Sequence, residues 1–126
     1  MYTLSVSDFV MIAHSLAGDF FGPAQRMHGA TLTVDAEVRT PELESHGVVM
    51  DIGVLRQRLR SVLEPLDYRN LDDHPAFPPR GSTTERIAQH LAEALSVELG
   101  SMALGTQLKI TVHESPVARV AYELEL

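Results

Sequence analysis

Apolar and polar residues alternate along two early stretches of the chain with the period of a half-buried strand. In residues 2–14, Tyr2, Leu4 and Val6 alternate with polar neighbours, and Phe9 to Ala13 then turn apolar throughout. In residues 28–40, Leu32, Val34, Ala36 and Val38 share one face, and Thr31, Thr33, Asp35, Glu37 and Arg39 share the other. That pattern predicts an antiparallel strand with one face on a core and one in water. Gly18, Gly22 and Pro23 make residues 15–27 a loop, and Pro41 to Ser45 form a turn.

Beyond Met50 the period lengthens to that of a helix. Asp51 is placed to cap a helix whose Val54, Leu55, Leu59, Val62 and Leu63 fall on one stripe, and Pro65 stops it. Residues 66–81 carry Pro75, Pro78, Pro79 and Gly81 and read as a long loop. Ser82-Thr83-Thr84-Glu85 has the form of a capping box, with a hydroxyl at the N-cap and a glutamate three residues later. The helix it opens carries Ile87, Leu91, Ala94, Leu95 and Leu99 on one stripe, and Gly100 closes it. Two final strands, Leu108 to His113 and Val117 to Leu124, flank Ser115-Pro116. The predicted order is ββααββ. It describes one α+β domain over residues 1–126, with a four-stranded antiparallel sheet and two helices on one face.

Composition narrows the chemistry. The chain is 44% hydrophobic and 21% charged, ordinary values for a soluble globular domain. Its net charge is -7 with histidines neutral, and it has no basic stripe, which argues against a nucleic-acid partner. With no cysteine, disulfides, thiolate metal sites and cysteine nucleophiles are excluded. The first eight residues lack the basic and apolar regions of a signal peptide, and no apolar run approaches a membrane span. A cytoplasmic location and no membrane partner are therefore expected.

The histidines carry the sharpest chemical signal. His14 ends the first apolar run, and His28-Gly29-Ala30 opens the second alternating stretch. Residues i and i+2 of a strand share a face. A histidine at position 30 would join His28 on that face, with His14 as a third donor from the neighbouring strand, the three-ligand, one-open-position pattern of a catalytic zinc site. The third place is Ala30. His113, His46, His74, Gln25 and Asp67 are the other candidate donors, although His113 and Glu114 are adjacent and so point to opposite faces of a strand. His46, His74, His90 and His113 read first as ordinary surface or interface residues.

Short motifs in a fixed order complete the pattern: Phe9-x-x-x-Ala13-His14, His28-Gly29, Gly47-Val48-Val49-Met50-Asp51, Leu66-Asp67, Leu71-Asp72, Thr83-x-Glu85 and Glu114. With them the whole chain resembles the 6-pyruvoyl-tetrahydropterin synthase and 6-carboxytetrahydropterin synthase family of the tunnelling fold. The resemblance implies a lyase that binds zinc through three histidines and uses a cysteine base with an aspartate–histidine proton relay. It also implies a glutamate that holds the pterin ring, and assembly into a homo-oligomer, a hexamer, with sites between subunits. Residue by residue, His14 and His28 match two metal ligands and Glu114 matches the pterin anchor. Asp67 matches the relay aspartate, and Thr83 and Glu85 match the start of the second helix. Ala30 stands in place of the third ligand, Ala24 in place of the cysteine and Tyr68 in place of the relay histidine.

The expected function is thus a divergent lyase that binds a pterin-like heterocycle. Glu114, Gln25 and Arg69 are its substrate-binding candidates, Asp67 and Tyr68 its catalytic candidates, and His14 and His28 its metal candidates for zinc. Asp67 beside a phenol can orient a proton donor, or it can simply satisfy turn backbone. Arg69 and Arg26 can grip a carboxylate or phosphate. Two rivals remain: a repurposed aldolase- or isomerase-type enzyme on another small substrate, and a non-catalytic ligand-binding oligomer.

Overall fold

The structure is a computed structural model that describes residues 1–102 and 107–126. Strands β1 (Tyr2–His14) and β2 (His28–Thr40) form an antiparallel pair whose register runs without interruption from Tyr2 opposite Thr40 to His14 opposite His28. β4 (Gln107–Ser115) pairs with β2, and β5 (Ala118–Glu125) pairs with β4, both antiparallel. The alternation places Val6, Val10, Ile12, Leu32, Val34, Ala36, Ile110 and Val112 on one buried face. Helices α1 (Ile52–Leu63) and α2 (Thr84–Leu99) cover that face, α1 over β1 and α2 over β4 and β5. Leu55, Leu59 and Leu63 of α1, and Ile87, Leu91, Leu95 and Leu99 of α2, are fully buried in the core so formed. Among the described residues, no helix is long and apolar enough to cross a membrane.

The sheet has five strands rather than the expected four, and it is mixed. Arg69–Asn70 forms a short strand, β3, parallel to Ile12 and Ala13 of β1, giving the order β3-β1-β2-β4-β5. Two hydrogen bonds bring it there. The Met11 N–H donates to Asp67 Oδ1 at 2.9 Å, and the Tyr68 N–H donates to the Met11 carbonyl at 2.7 Å. Tyr68 takes a left-handed backbone conformation, φ 58°, which turns the chain along the strand. Two exposed polar residues carry no alternation, so nothing in the local pattern marks this strand.

The helix starts obey local rules with one shift. Asp51 caps α1 by accepting from the Val54 N–H at 2.9 Å. At α2 the cap is Thr83, which accepts from the Arg86 N–H, and not Ser82. Ser82 is buried and turns to His14 instead. Tertiary contact thus overrides the capping-box reading by one residue.

Inside the helical layer, His90 of α2 packs its ring 5.3 Å from Phe77 and 6.2 Å from His74, centroid to centroid. Burial pushes the His90 imidazole below its ordinary value of 6.5, and His74 adds to this while Glu93 opposes it. The unfolded chain therefore takes up this proton more readily than the folded one. The stability tied to a neutral His90 is whole above about pH 6.5 and is lost as pH falls from there towards the lower folded value. The urea midpoint is expected to drop between about pH 7.5 and pH 5, and less steeply in His90→Gln.

Candidate functional site

The site forms where the β1–β2 ladder ends. His14 and His28 face each other as its last pair, with ring centroids 4.6 Å apart and an edge-on angle of 63°. His14 is only 6% exposed. Its Nδ1 lies 2.9 Å from the Ser82 carbonyl oxygen and 3.0 Å from the Ser82 hydroxyl. The Nδ1 of His28 lies 2.8 Å from the Arg26 carbonyl oxygen. A carbonyl can only accept, so each Nδ1 carries a hydrogen, and in the neutral tautomer this selects the lone pair sits on Nε2. That orientation, with one nitrogen held by a carbonyl, is how metal-binding imidazoles are prepared. Burial lowers the His14 pKa and His28 reinforces this, while the Ser82 carbonyl, Asp72 and Glu114 oppose it.

The described residues do not furnish the rest of a zinc site. Ala30 lies on the same face but packs against the hydrophobic core and offers no donor. Among the described residues no group of three or more His, Asp or Glu side chains is placed to hold a metal ion. Within one chain the described residues therefore do not complete a three-donor zinc centre.

The loop between His14 and His28 is stapled to the chain before α2. Arg80, itself in a left-handed conformation with φ 53°, donates from Nε to the Ser15 hydroxyl at 3.0 Å and from Nη2 to the Gln25 carbonyl at 2.8 Å. Its own carbonyl accepts from the Ala17 N–H at 2.9 Å. Asp72 accepts from both the backbone and the hydroxyl of buried Ser15. The sequence pattern gives Ser15, Asp72 and Arg80 no role in a site, and Ser82 only that of a helix cap. Only the Leu71-Asp72 motif hinted at one of them.

Beside this staple lies an open cleft of about 550 Å³ lined by Leu16, Phe20, Phe21, Ala24, Arg86 and Glu114, together with residues 83–85. Phe20 is 93% exposed at its rim. Glu114 sits at a register shift in β4 between His113 and Ser115, and its carboxylate accepts from the Thr84 hydroxyl in the first turn of α2. A helix start favours such a negative charge. His113 points to the other face, as strand alternation requires. There its Nε2 lies 2.7 Å from Asp35, which also accepts from Ser7.

The remaining candidates lie elsewhere. Both oxygens of Asp67 are engaged, Oδ1 by the Met11 N–H and Oδ2 by Arg60 Nη2 at 2.9 Å. Tyr68 is 76% exposed and Arg69 lies in β3, at the sheet edge. Three strand spacings, roughly 14 Å, separate β3 from the Glu114 strand. Gln25 donates from Nε2 to the Gly22 carbonyl, within its own loop. Asn70 accepts from the Asp72 N–H and so caps a turn.

The sequence profile described as 6-pyruvoyl tetrahydropterin synthase matches residues 3–125. The chain belongs to this family. It is 33% identical over 97 residues to the 6-pyruvoyl tetrahydrobiopterin synthase of Drosophila melanogaster, a match over 75% of this chain and 56% of that relative. The chain thus spans little more than half the length of that relative. It is 25% identical to the 6-carboxy-5,6,7,8-tetrahydropterin synthase of Bacillus subtilis, over 96% of this chain and 84% of that protein. The structure of the Caenorhabditis elegans 6-pyruvoyl tetrahydropterin synthase superposes with a TM-score of 0.84 at 25% identity, covering 96% of this chain and 94% of that one. The family's α+β architecture is the one found here.

Asp67→Ala removes one partner of Arg60, which keeps Asp8 and the Phe9 carbonyl, and removes the acceptor of the Met11 N–H. It is expected to lower stability by about 1–2 kcal/mol in chemical denaturation, and Asp67→Asn, which keeps an acceptor oxygen, by less. Equal losses from the two variants would show that the Met11 hydrogen bond contributes nothing.

Proposed function

We propose that this family member binds a pterin-like heterocycle in the cleft beside α2 through Glu114, at an interface between copies of the chain, and that it is a divergent lyase with reduced standard synthase turnover. The observation that carries the reading is the placement of Glu114. Its carboxylate stands at the cleft, steadied by Thr84, with acceptor capacity left for two parallel N–H groups of a cyclic amidine.

Two features support an interface. Outside Ile12 and Ala13 the outer edge of β1 pairs with no strand among the described residues, and β5 forms the other open edge. Phe9 and Met11, both exposed, lie on the face of β1 away from the helices. Open edges and exposed apolar side chains are covered when a second copy extends the sheet. Asp67, Tyr68 and Arg69, too far from Glu114 within one chain, sit on that same β1 edge and so serve a neighbouring copy's cleft in this reading.

The chemistry beyond binding is diminished. Ala24 supplies no base, Ala30 no ligand and Tyr68 no imidazole relay. Each missing proton-transfer group lowers the rate by roughly 10²–10⁴-fold. The full occupancy of Asp67 by Arg60 and Met11 favours, as a second reading, a ligand-binding protein without turnover.

Fluorescence titration with pterin itself, the unsubstituted bicycle, in metal-free buffer tests the assignment. Glu114→Gln is expected to weaken binding by about tenfold or more, since it removes a charged acceptor. Thr84→Val is expected to weaken it less. Absence of pterin binding by the wild type, or equal binding by Glu114→Gln, overturns the reading.

A further inference from the structure

We infer that Arg80 is a positioning residue for the cleft: its guanidinium braces the neck of the loop between β1 and β2, and so holds Phe20 where it covers the face of a planar ring whose edge is bound at Glu114. The inference rests on the cleft reading for the identity of that ring and assigns it a second contact.

The backbone of Arg80 gives the first sign. Its φ of 53° is costly for any side chain larger than glycine, and such a conformation persists only where the surroundings fix it. Here the residue's own side chain does the fixing. Nε donates to the Ser15 hydroxyl at 3.0 Å, and Nη2 donates to the Leu16 carbonyl at 3.4 Å and the Gln25 carbonyl at 2.8 Å. Ser15 and Leu16 open the loop and Gln25 lies near its close, so one guanidinium spans the neck. A flat fork of N–H groups suits that task. The buried Ser15 hydroxyl donates its own hydrogen to Asp72, and so joins the guanidinium to a carboxylate.

The brace also sets the spacing of the cleft walls. One wall is the loop, with Phe20 and Phe21, and the other is the start of α2. Arg80 is tied to that second wall by a tight turn. The Gly81 N–H donates to the Pro78 carbonyl at 3.0 Å, and the Gly81 carbonyl accepts from the Thr83 N–H at 2.9 Å and from Arg86 Nη1 at 3.0 Å. Phe20 stands edge-on to the half-buried Phe21, with centroids 5.3 Å apart, and its own ring is left in water. An exposed aromatic ring at a cleft rim is stabilised by covering a flat ligand face. A carboxylate can grip only the N–H edge of such a ligand, which leaves the face to Phe20.

A double-mutant cycle on the full chain, read by pterin fluorescence titration, tests this. Arg80→Gly removes the guanidinium while glycine holds the left-handed turn without strain. Phe20→Ala removes the ring at an exposed position. Each is expected to weaken pterin binding about fivefold, and the double variant to bind within about twofold of Phe20→Ala alone, because the brace acts through that ring. Ser15→Ala, which removes the joint between Arg80 and Asp72, is expected to weaken binding in the same Phe20-dependent way, and it decides the matter if Arg80→Gly does not fold. Wild-type affinity in Phe20→Ala, or in Arg80→Gly and Ser15→Ala, overturns the inference. So does an equal loss with and without Phe20, since a brace that merely stabilised the chain would give additive effects. If the wild type binds no pterin, the Glu114 reading falls and this inference with it. Glu114-dependent binding that is indifferent to Arg80 overturns this inference alone.

Discussion

Thirteen consecutive cross-strand pairs between β1 and β2 are the constraint on which the rest of the structure depends. A strand's side chains alternate with period two, so a slip of one residue would turn every core residue outward. The register is held because Val6, Val10, Ile12, Leu32, Val34, Ala36 and Val38 must all meet the helical layer at once. His14 and His28 come at the far end of the same ladder, on the same face. Their convergence follows from the burial of apolar residues up to about 35 Å away along the strand, and not from any attraction between the two rings.

What happens at that end is decided by chain from outside the ladder. The segment before α2 contributes Arg80 and Ser82, and the turn after β3 contributes Asp72. Together they orient His14, bind Ser15 and stitch down the loop that leads to His28. The start of α2 also supplies Thr84 to Glu114. One helix start therefore organises both the imidazole pair and the cleft carboxylate. A cleft built this way is held by the chain's own hydrogen bonds, which would limit the ordering cost of binding a ligand there.

The family's framework persists in this chain. Ala24, Ala30 and Tyr68 occupy the positions at which the family resemblance implies a base, a ligand and a relay. Matching side chains are tied into that framework by hydrogen bonds, His14 to Ser82, Glu114 to Thr84, and Asp67 to Met11 and Arg60. Asp67 illustrates the point: its carboxylate ties α1 to the edge of β1 through Arg60 and Met11, so this chain needs it for architecture whatever its chemical role.

The sequence by itself determined most of the fold. Its alternation marked β1 and β2 to the residue, its helical stripes and Asp51 marked α1, and Gly100 marked the end of α2. These are local signals, because periodicity and capping act within a few residues. It also singled out His14, His28 and Glu114, and strand alternation correctly sent His113 to the opposite face from Glu114. Only the tertiary structure decided the fifth strand, the shift of the α2 cap from Ser82 to Thr83, the occupied state of Asp67 and the Arg80 staple. Each of these turns on a hydrogen bond between residues far apart in the chain, such as the 56 positions between Met11 and Asp67. No local pattern encodes such a partner. The unpaired N–H or C=O of one segment finds it only once packing has brought the other segment alongside.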